Sequence, residues 1–178
     1  MPLLTIADER WPIAGRFTIS RGAKTEAHVV TVTLTHGPYT GRGECVPYPR
    51  YGETVPQVMA ALEAARSAIA AGISREDIPA IVEPYAARNA LDCALWDLEA
   101  DIAGKPVWQL AGLPRPLPAV TAYTLSLDTP EAMGEAAAKS AHRPLLKLKL
   151  GREGDAERLK AIRRNAPRSR LIVDANEG

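Results

Sequence analysis

Apolar and polar side chains alternate with a period of two in the first part of the chain. In residues 27–35, Val30, Val32 and Leu34 fall on one face and threonines fall on the other. This alternation of β-branched residues is typical of a half-buried strand. Further strands are predicted at residues 3–12 and 39–46. We therefore expect a three-stranded antiparallel meander.

The middle of the chain has apolar residues at helical spacing. One helix is predicted between a cap at Thr54 and Gly72, and a shorter one begins at Ser74. The strongest helical pattern runs from about residue 84 to residue 103, and Gly104 ends it. Its apolar stripe consists of Ala87, Leu91, Leu95, Leu98 and Ile102.

Strands and helices alternate after a proline-rich linker at residues 113–118. This order indicates βαβ units and a parallel sheet. Three strands are too few to close a barrel, so the pattern looks like the beginning of a larger domain. We expect one domain at residues 1–114 and an incomplete second one at 115–178. The strands are predicted at 119–127, 145–150 and 170–175, and the helices at 130–140 and 153–165.

Composition excludes several classes of function. The chain has 22 Lys and Arg against 21 Asp and Glu, so its net charge is +1 and no basic excess favours nucleic acid. No apolar run approaches the roughly 20 residues of a membrane span, and no export signal is visible in the first residues of the sequence. Two cysteines cannot form a disulfide framework. We expect a cytoplasmic protein that binds neither nucleic acid nor membranes.

The first chemically informative segment is the strand predicted at residues 145–150. Alternation puts Lys147 and Lys149 on one face and leucines on the other. A solvent-exposed strand face would explain this pattern. However, both faces of a parallel sheet are normally covered, so two adjacent ammonium groups there suggest a function. A lysine beside another positive charge is suited to act as a general base.

A second segment, the strand at residues 170–175, ends in Asp174. The aspartate could cap the following loop. Alternatively, the 25 residues between Lys149 and Asp174 fit one βαβ unit, which would bring both to the same end of neighbouring strands, about 5 Å apart. A base beside a hard-cation ligand suits removal of a proton next to a carboxylate, with Mg²⁺ stabilising the enediolate.

These strand ends resemble the muconate-lactonizing branch of the enolase superfamily, and more specifically its L-Ala-D/L-Glu type dipeptide epimerases. The resemblance spans the whole chain and is strongest in segments 43–53, 86–98 and 171–177. It implies an α+β capping domain followed by the first βαβαβ part of a modified TIM barrel. The activity implied is epimerisation of murein dipeptides by Mg²⁺-assisted removal of the α-proton.

The resemblance also implies roles for individual residues. Lys149 would be one of two catalytic bases, with Lys147 as its electrostatic partner, and Asp174 would be the first of three carboxylate ligands to a single Mg²⁺. Thr124, on the first barrel strand, and Arg21, in a capping loop, would contact the substrate. A second capping loop would shape specificity through Tyr48, Arg50 and Tyr51. A surface position for Arg21 and rim packing for the tyrosines remain the alternatives.

The remaining metal ligands and the opposing lysine of that family would follow on later strands. We therefore expect the 178 residues alone to show no epimerisation. Another racemase or cycloisomerase activity on the same scaffold is one alternative. A non-catalytic module that pairs with another chain, or forms a homo-oligomer, through the incomplete sheet is the other. Cys45 and Cys93 are interpreted as buried apolar residues rather than nucleophiles.

Overall fold

The computed structural model forms two compact units. Unit 1 comprises Met1–Trp11 and Ala27–Pro116, and unit 2 comprises Pro12–Glu26 and Leu117–Gly178. The structure describes residues 1–19, 22–83, 85–151 and 153–175. Residues 12–19 and 22–26, which belong to the hairpin of the first two strands, therefore group with the second half of the chain. Their position in the sequence did not indicate this.

Unit 1 contains a three-stranded antiparallel sheet in the order β1-β2-β3. The predicted inner face is confirmed, since Val30, Val32 and Leu34 are fully buried. The first two strands are longer than predicted. Pro12 lies within β1, where an edge strand tolerates a missing backbone N–H. The strands are β1 (Leu3–Ile19), β2 (Gly22–His36) and β3 (Tyr39–Cys45).

Five α-helices lie in the described part of the first half of the chain. The predicted helix after Thr54 is divided into two, and its cap is confirmed because the Thr54 side chain accepts a hydrogen bond from Gln57 N. Most of the predicted stripe of the long helix is buried, but Ile102 in its last turn is exposed. The helices are α1 (Val55–Ala64), α2 (Arg66–Ala70), α3 (Ile78–Ile81), α4 (Ala86–Ala103) and α5 (Val107–Leu110).

Helix α4 lies directly on the backbone of β3. A Cβ atom added at Gly41 would lie 2.1 Å from Ala94 O, and one added at Gly43 would lie 2.0 Å from Ala90 O. Side chains of α4 also satisfy backbone N–H groups of the edge strand. Asp97 accepts a hydrogen bond of 2.8 Å from Arg42 N, and the equivalent bond from Thr40 N to Asp101 is 2.9 Å. Gly41 and Gly43 thus permit the close approach between helix α4 and strand β3.

Unit 2 contains a parallel sheet in the order β4-β5-β6, with a helix after each of the first two strands. The predicted βαβαβ arrangement is confirmed. The strand predicted at 119–127 is shorter at both ends. Beyond its last residue the chain bonds to the first hairpin, since Leu127 N donates to Thr18 O and Ser126 Oγ donates to Arg16 O. The elements are β4 (Tyr123–Leu125), α6 (Pro130–Lys139), β5 (Leu145–Lys149), α7 (Asp155–Asn165) and β6 (Arg170–Asp174).

One face of this sheet forms the core of unit 2 against α6 and α7. Leu125, Leu146 and Leu148 point into it and are buried, together with Met133 and Ile162 from the two helices. The opposite face therefore carries the alternate residues of the strands, including both lysines of β5. Among the described residues, no helix is both long enough and apolar enough to cross a membrane.

Candidate active site

The pairing of β5 with β6 brings the predicted site residues together. In the parallel register Lys147 lies opposite Ile172, and Lys149 lies opposite Asp174. Residues paired in this way point to the same side of a sheet, so both lysines and Asp174 share one face. The expected adjacency of Lys149 and Asp174 at the same end of neighbouring strands is confirmed.

A single carboxylate oxygen contacts both ammonium groups. Lys149 Nζ lies 2.6 Å from Asp174 Oδ2, and Lys147 Nζ lies 3.0 Å from the same atom. The side chain of Lys149 is only 14% exposed, against 35% for Lys147 and 28% for Asp174. The negative charge of Asp174 offsets the repulsion between two partly buried like charges. The arrangement brings two lysine side chains and a hard oxygen donor together at one strand end.

Thr124 lies on the neighbouring strand β4, on the same face. It is the register partner of Lys147, so it lies two residues along the strand direction before the pair formed by Lys149 and Asp174. Its side chain is half-buried. This position puts a hydroxyl group on the polar face of the sheet, while its contact with a substrate stays a prediction.

The backbone after Lys149 is held on two sides by contacts that sequence analysis did not find. Leu150 N donates a hydrogen bond of 3.1 Å to Asp174 O, which extends the ladder beyond β5. Gly151 N donates one of 2.7 Å to Asp155 Oδ2, in the first turn of α7. Asp155 is in turn paired with Arg158, one turn further along. The Asp155–Arg158 pair could have been found in the sequence, because an acidic residue at a helix start is followed three residues later by an arginine.

Tyr48 and Tyr51 belong to unit 1, in and beside a short 3-10 helix at Pro49–Tyr51, where Arg50 is exposed. Their ring centroids are 5.5 Å apart. The Tyr51 ring also stacks on Tyr85, with centroids 6.2 Å apart and planes 9° from parallel. Tyr85 was not predicted to belong to this group. The tyrosines thus pack on one another, and any contact with a substrate stays a prediction.

Glu53 holds the two chain segments that carry these rings. Its carboxylate accepts hydrogen bonds from Tyr48 N at 3.2 Å and from Ala86 N at 2.8 Å. Tyr85 precedes Ala86 and has a φ of 91°, the one positive φ outside glycine in the described part of the chain. Such a conformation is costly for a bulky residue, and these contacts help to hold it. The predicted loop residue Arg21 lies outside the described residues.

The two cysteines differ from one another. Cys45 is buried, and Sγ donates to Val30 O. Burial, followed by the negative charge of Glu53, raises the pKa of the Cys45 thiol to about 11.

Cys93 is exposed, so its prediction as a buried residue was wrong. It lies four residues before Asp97 on α4, outside the apolar stripe that faces the core. Partial burial and Asp92 raise its pKa, and neither thiol is thus activated as a nucleophile.

Asp174 has the donor chemistry that Mg²⁺ prefers, a carboxylate oxygen at the carboxyl end of a parallel strand. The donor type therefore fits the metal implied by the resemblance. Among residues 1–19, 22–83, 85–151 and 153–175, no three His, Cys, Asp or Glu side chains lie close enough to hold a metal ion together. The role of Asp174 as a metal ligand stays a prediction.

The chain is similar to known isomerases over nearly its whole length. It is 42% identical over 179 residues to the L-Ala-D/L-Glu epimerase of Escherichia coli K12, covering 99% of this chain and 56% of that protein. An enolase family member from Agrobacterium tumefaciens with homology to dipeptide epimerases, solved with sodium and L-Ala-L-Glu, is 51% identical. Its TM-score is 0.92, over 100% of this chain and 55% of that one.

A dipeptide epimerase from Cytophaga hutchinsonii, solved with Mg and D-Ala-L-Val, is more distant. It has 29% identity and a TM-score of 0.85, over 99% of this chain and 52% of that one. The chain thus spans about half the length of the relatives that it matches. Residues 2–112 match the N-terminal domain described as mandelate racemase / muconate lactonizing enzyme. The chain therefore belongs to the mandelate racemase / muconate lactonizing enzyme family of the enolase superfamily.

Proposed function

We propose that this chain supplies the amino-terminal part of a dipeptide epimerase of the L-Ala-D/L-Glu type, acting on murein-derived dipeptides. The observation that carries the proposal is the cluster of Lys147, Lys149 and Asp174 on one sheet face, with both amines within 3.0 Å of one carboxylate oxygen. The similarity to the E. coli epimerase over 99% of the chain supports the same substrate class.

Lys149 is the base in this proposal. In its neutral form its amine accepts the α-proton on one side of the substrate, and it returns the proton in the reverse direction. It is the less exposed of the two lysines, and its partner strand fixes it at the strand end. Lys147 is its electrostatic partner, because its ammonium group contacts the same carboxylate oxygen. A second base for the opposite side of the substrate would follow beyond the described residues.

Asp174 would hold one Mg²⁺ per complete site, together with ligands from beyond the described residues. When bound, Mg²⁺ supplies positive charge that stabilises the carboxylate of the substrate as the α-proton leaves. Support for this metal comes from the oxygen-donor chemistry of Asp174 and from the Mg-bound relative of C. hutchinsonii.

Thr124, Arg21, Tyr48 and Tyr51 are proposed to contact the dipeptide. Thr124 is supported by its position on the polar face beside Lys147. The exposed Tyr51 offers a hydroxyl and an aromatic surface for recognition. A cytoplasmic location also belongs to the proposal, since Cys45 and Cys93 are free thiols, as a reducing compartment favours.

The test is proton exchange followed by NMR, with the intact gene product in D₂O containing Mg²⁺ and L-Ala-L-Glu. We expect the α-proton signal of the glutamate residue to disappear and L-Ala-D-Glu to form. The 178 residues alone should do neither, because they contain one proposed base and one proposed metal ligand. Absence of exchange by the intact gene product at saturating Mg²⁺ and dipeptide would contradict the proposal.

Two other functions remain candidates. A different racemase or cycloisomerase would act on another substrate of the same chemical type, so a panel of dipeptides and N-acyl amino acids separates it from the proposed activity. An assembly module is favoured by β6, an edge strand of its sheet whose Ile172 and Val173 are 40% and 52% exposed. Sedimentation tests this candidate, because a monomer would argue against strand pairing with a second copy.

A further inference from the structure

We propose that Arg158 is a positioning residue that fixes the backbone immediately after Lys149. The inference rests on the proposed function, in which Lys149 is the base. No contact between Arg158 and a substrate is involved. The residue acts through Asp155 and through two backbone carbonyls, so that its effect on the reaction is geometric.

The first link runs through Asp155. Its Oδ2 accepts a hydrogen bond of 2.7 Å from Gly151 N, and its Oδ1 accepts one of 3.1 Å from Arg158 Nη1. Gly151 is the second residue after Lys149. The guanidinium group therefore orients the carboxylate that holds the chain just beyond the base. The pair is partly shielded from solvent, with Arg158 14% and Asp155 30% exposed.

The second link joins two loops that follow neighbouring strands. Arg158 Nε donates to Asp128 O at 2.7 Å, in the loop after β4. Its Nη1 also donates to Glu153 O at 2.7 Å, in the loop after β5. The rigid, planar fork of an arginine suits such divergent acceptors, and a lysine offers a single point charge instead. The loop that follows Lys149 is thus tied to the loop that follows the strand of Thr124.

The anchor at Asp128 is itself held in place. The preceding residue, Leu127, donates its backbone N–H to Thr18 O of the first hairpin at 3.1 Å. A continuous series of hydrogen bonds and short covalent segments therefore leads from this hairpin through Arg158 to Gly151. On the other side, Leu150 N is bound to Asp174 O. Loss of Arg158 would leave the backbone after Lys149 attached on the Asp174 side, with the Asp155 side loosened.

This geometry matters because a general base must meet its proton within a narrow range of distance. A displacement of about 1 Å lowers a rate by about 100-fold. The backbone conformation of a residue determines which of its side-chain rotamers are free of strain, and so which positions the amine of Lys149 can reach. A positioning role for Arg158 therefore predicts a loss of kcat with little change in KM.

The same helix provides a matched control. Arg163 also donates to backbone carbonyls, those of Ala166, Pro167 and Ser169, at 3.4, 3.1 and 2.9 Å. These carbonyls precede β6 and lie at the end of the strands opposite Lys149. Replacement of Arg163 therefore removes comparable hydrogen bonds from unit 2 without touching the loop after the base.

The test compares R158M, R158K and R163M in the intact gene product by two measurements. Hydrogen–deuterium exchange of peptides covering residues 149–155 reports the protection of this segment, which includes the Gly151 amide. Steady-state kinetics with L-Ala-L-Glu and saturating Mg²⁺ report kcat and KM. We expect R158M to accelerate exchange in this segment and to lower kcat by about 10- to 100-fold. R158K should change the exchange rate and kcat in the same directions but by smaller factors. R163M should leave the exchange of residues 149–155 and kcat near their wild-type values.

Unchanged exchange at residues 149–155 with a wild-type kcat in R158M would overturn the inference, as would equal changes in R158M and R163M. If R158M does not fold, R158K decides by the same two criteria. Failure of the proposed function is distinguishable, because the wild-type protein would then show no α-proton exchange at all. That result would end the positioning role of Arg158 together with the catalytic role of Lys149.

Discussion

Lys149 and Asp174 are register partners on neighbouring parallel strands, and their side chains meet at a distance of 2.6 Å. The contact follows from backbone pairing, since both residues end their strands on the same face of the sheet. Lys147, two residues earlier on the same strand, also contacts Asp174, with its Nζ 3.0 Å from Asp174 Oδ2. The sheet therefore assembles two amines and one carboxylate without any contribution from long loops.

Asp174 is the residue that balances this charge, so D174N is informative. We expect the free energy of unfolding of unit 2 to fall, because the amide replaces the carboxylate that contacts both lysines, whose side chains are 14% and 35% exposed. We also expect the apparent Mg²⁺ affinity of the intact gene product to fall at least about tenfold. Denaturant titration and Mg²⁺ titration calorimetry measure the two effects. E157Q, an exposed carboxylate on α7, is the control that should change neither.

The contact between α4 and β3 predicts a strong effect of G43A. A Cβ at this position would lie 2.0 Å from Ala90 O and 2.8 Å from Ala94 N, and neither backbone atom moves without shifting the helix. We expect the free energy of unfolding to fall by about 3 kcal/mol or more. The neighbouring variant R42A removes an exposed side chain and should cost less than about 0.5 kcal/mol. Similar stabilities of the two variants would contradict the close packing of α4 on β3.

The buried thiol of Cys45 predicts a dependence of stability on alkaline pH. Its pKa is raised in the folded state from 9.0 to about 11, so the folded protein holds the proton more tightly than the unfolded chain. Its contribution to stability is thus complete below pH 9 and is lost as the pH rises to about 11. The loss amounts to about 2–3 kcal/mol.

Urea titrations of the wild type and C45A at a series of pH values measure this loss. We expect the stability difference between the two proteins to shrink as the pH rises through this range. C93A, at the exposed cysteine, serves as a control whose difference from wild type changes less. A stability difference for C45A that stays constant up to pH 11 would contradict the raised pKa.

Sequence periodicity was sufficient for the sheet positions that carry the proposed chemistry. Alternation alone assigned Lys147 and Lys149 to one face, and the length of the βαβ unit placed Asp174 beside Lys149. Both inferences depend on regular backbone geometry, which a local pattern reveals. The burial of Val30, Val32 and Leu34 was predictable for the same reason.

Contacts between segments that are distant in the sequence could not be predicted in this way. The hydrogen bond from Leu127 N to Thr18 O joins residues more than a hundred positions apart. The stack of Tyr51 on Tyr85 depends on a strained backbone that the identity of Tyr85 argues against. The exposure of Cys93 depends on which side of α4 faces the core, and a single small residue carries little signal about that side. Such features emerge only when the elements pack.

The central claim is that Lys149 is the base on one side of the substrate. Its most direct test is α-proton exchange in D₂O by K149M in the intact gene product, started separately from L-Ala-L-Glu and L-Ala-D-Glu. The control is K160M, at an exposed lysine on α7. Each epimer presents its α-proton to a different side, so removal of one base affects the exchange of the two epimers differently.

The account predicts that K149M loses epimerisation and slows exchange of one epimer by at least about 100-fold, while the other epimer still exchanges its α-proton. K160M should behave as wild type. Exchange of both epimers by K149M at wild-type rates would contradict the assignment of Lys149 as a base.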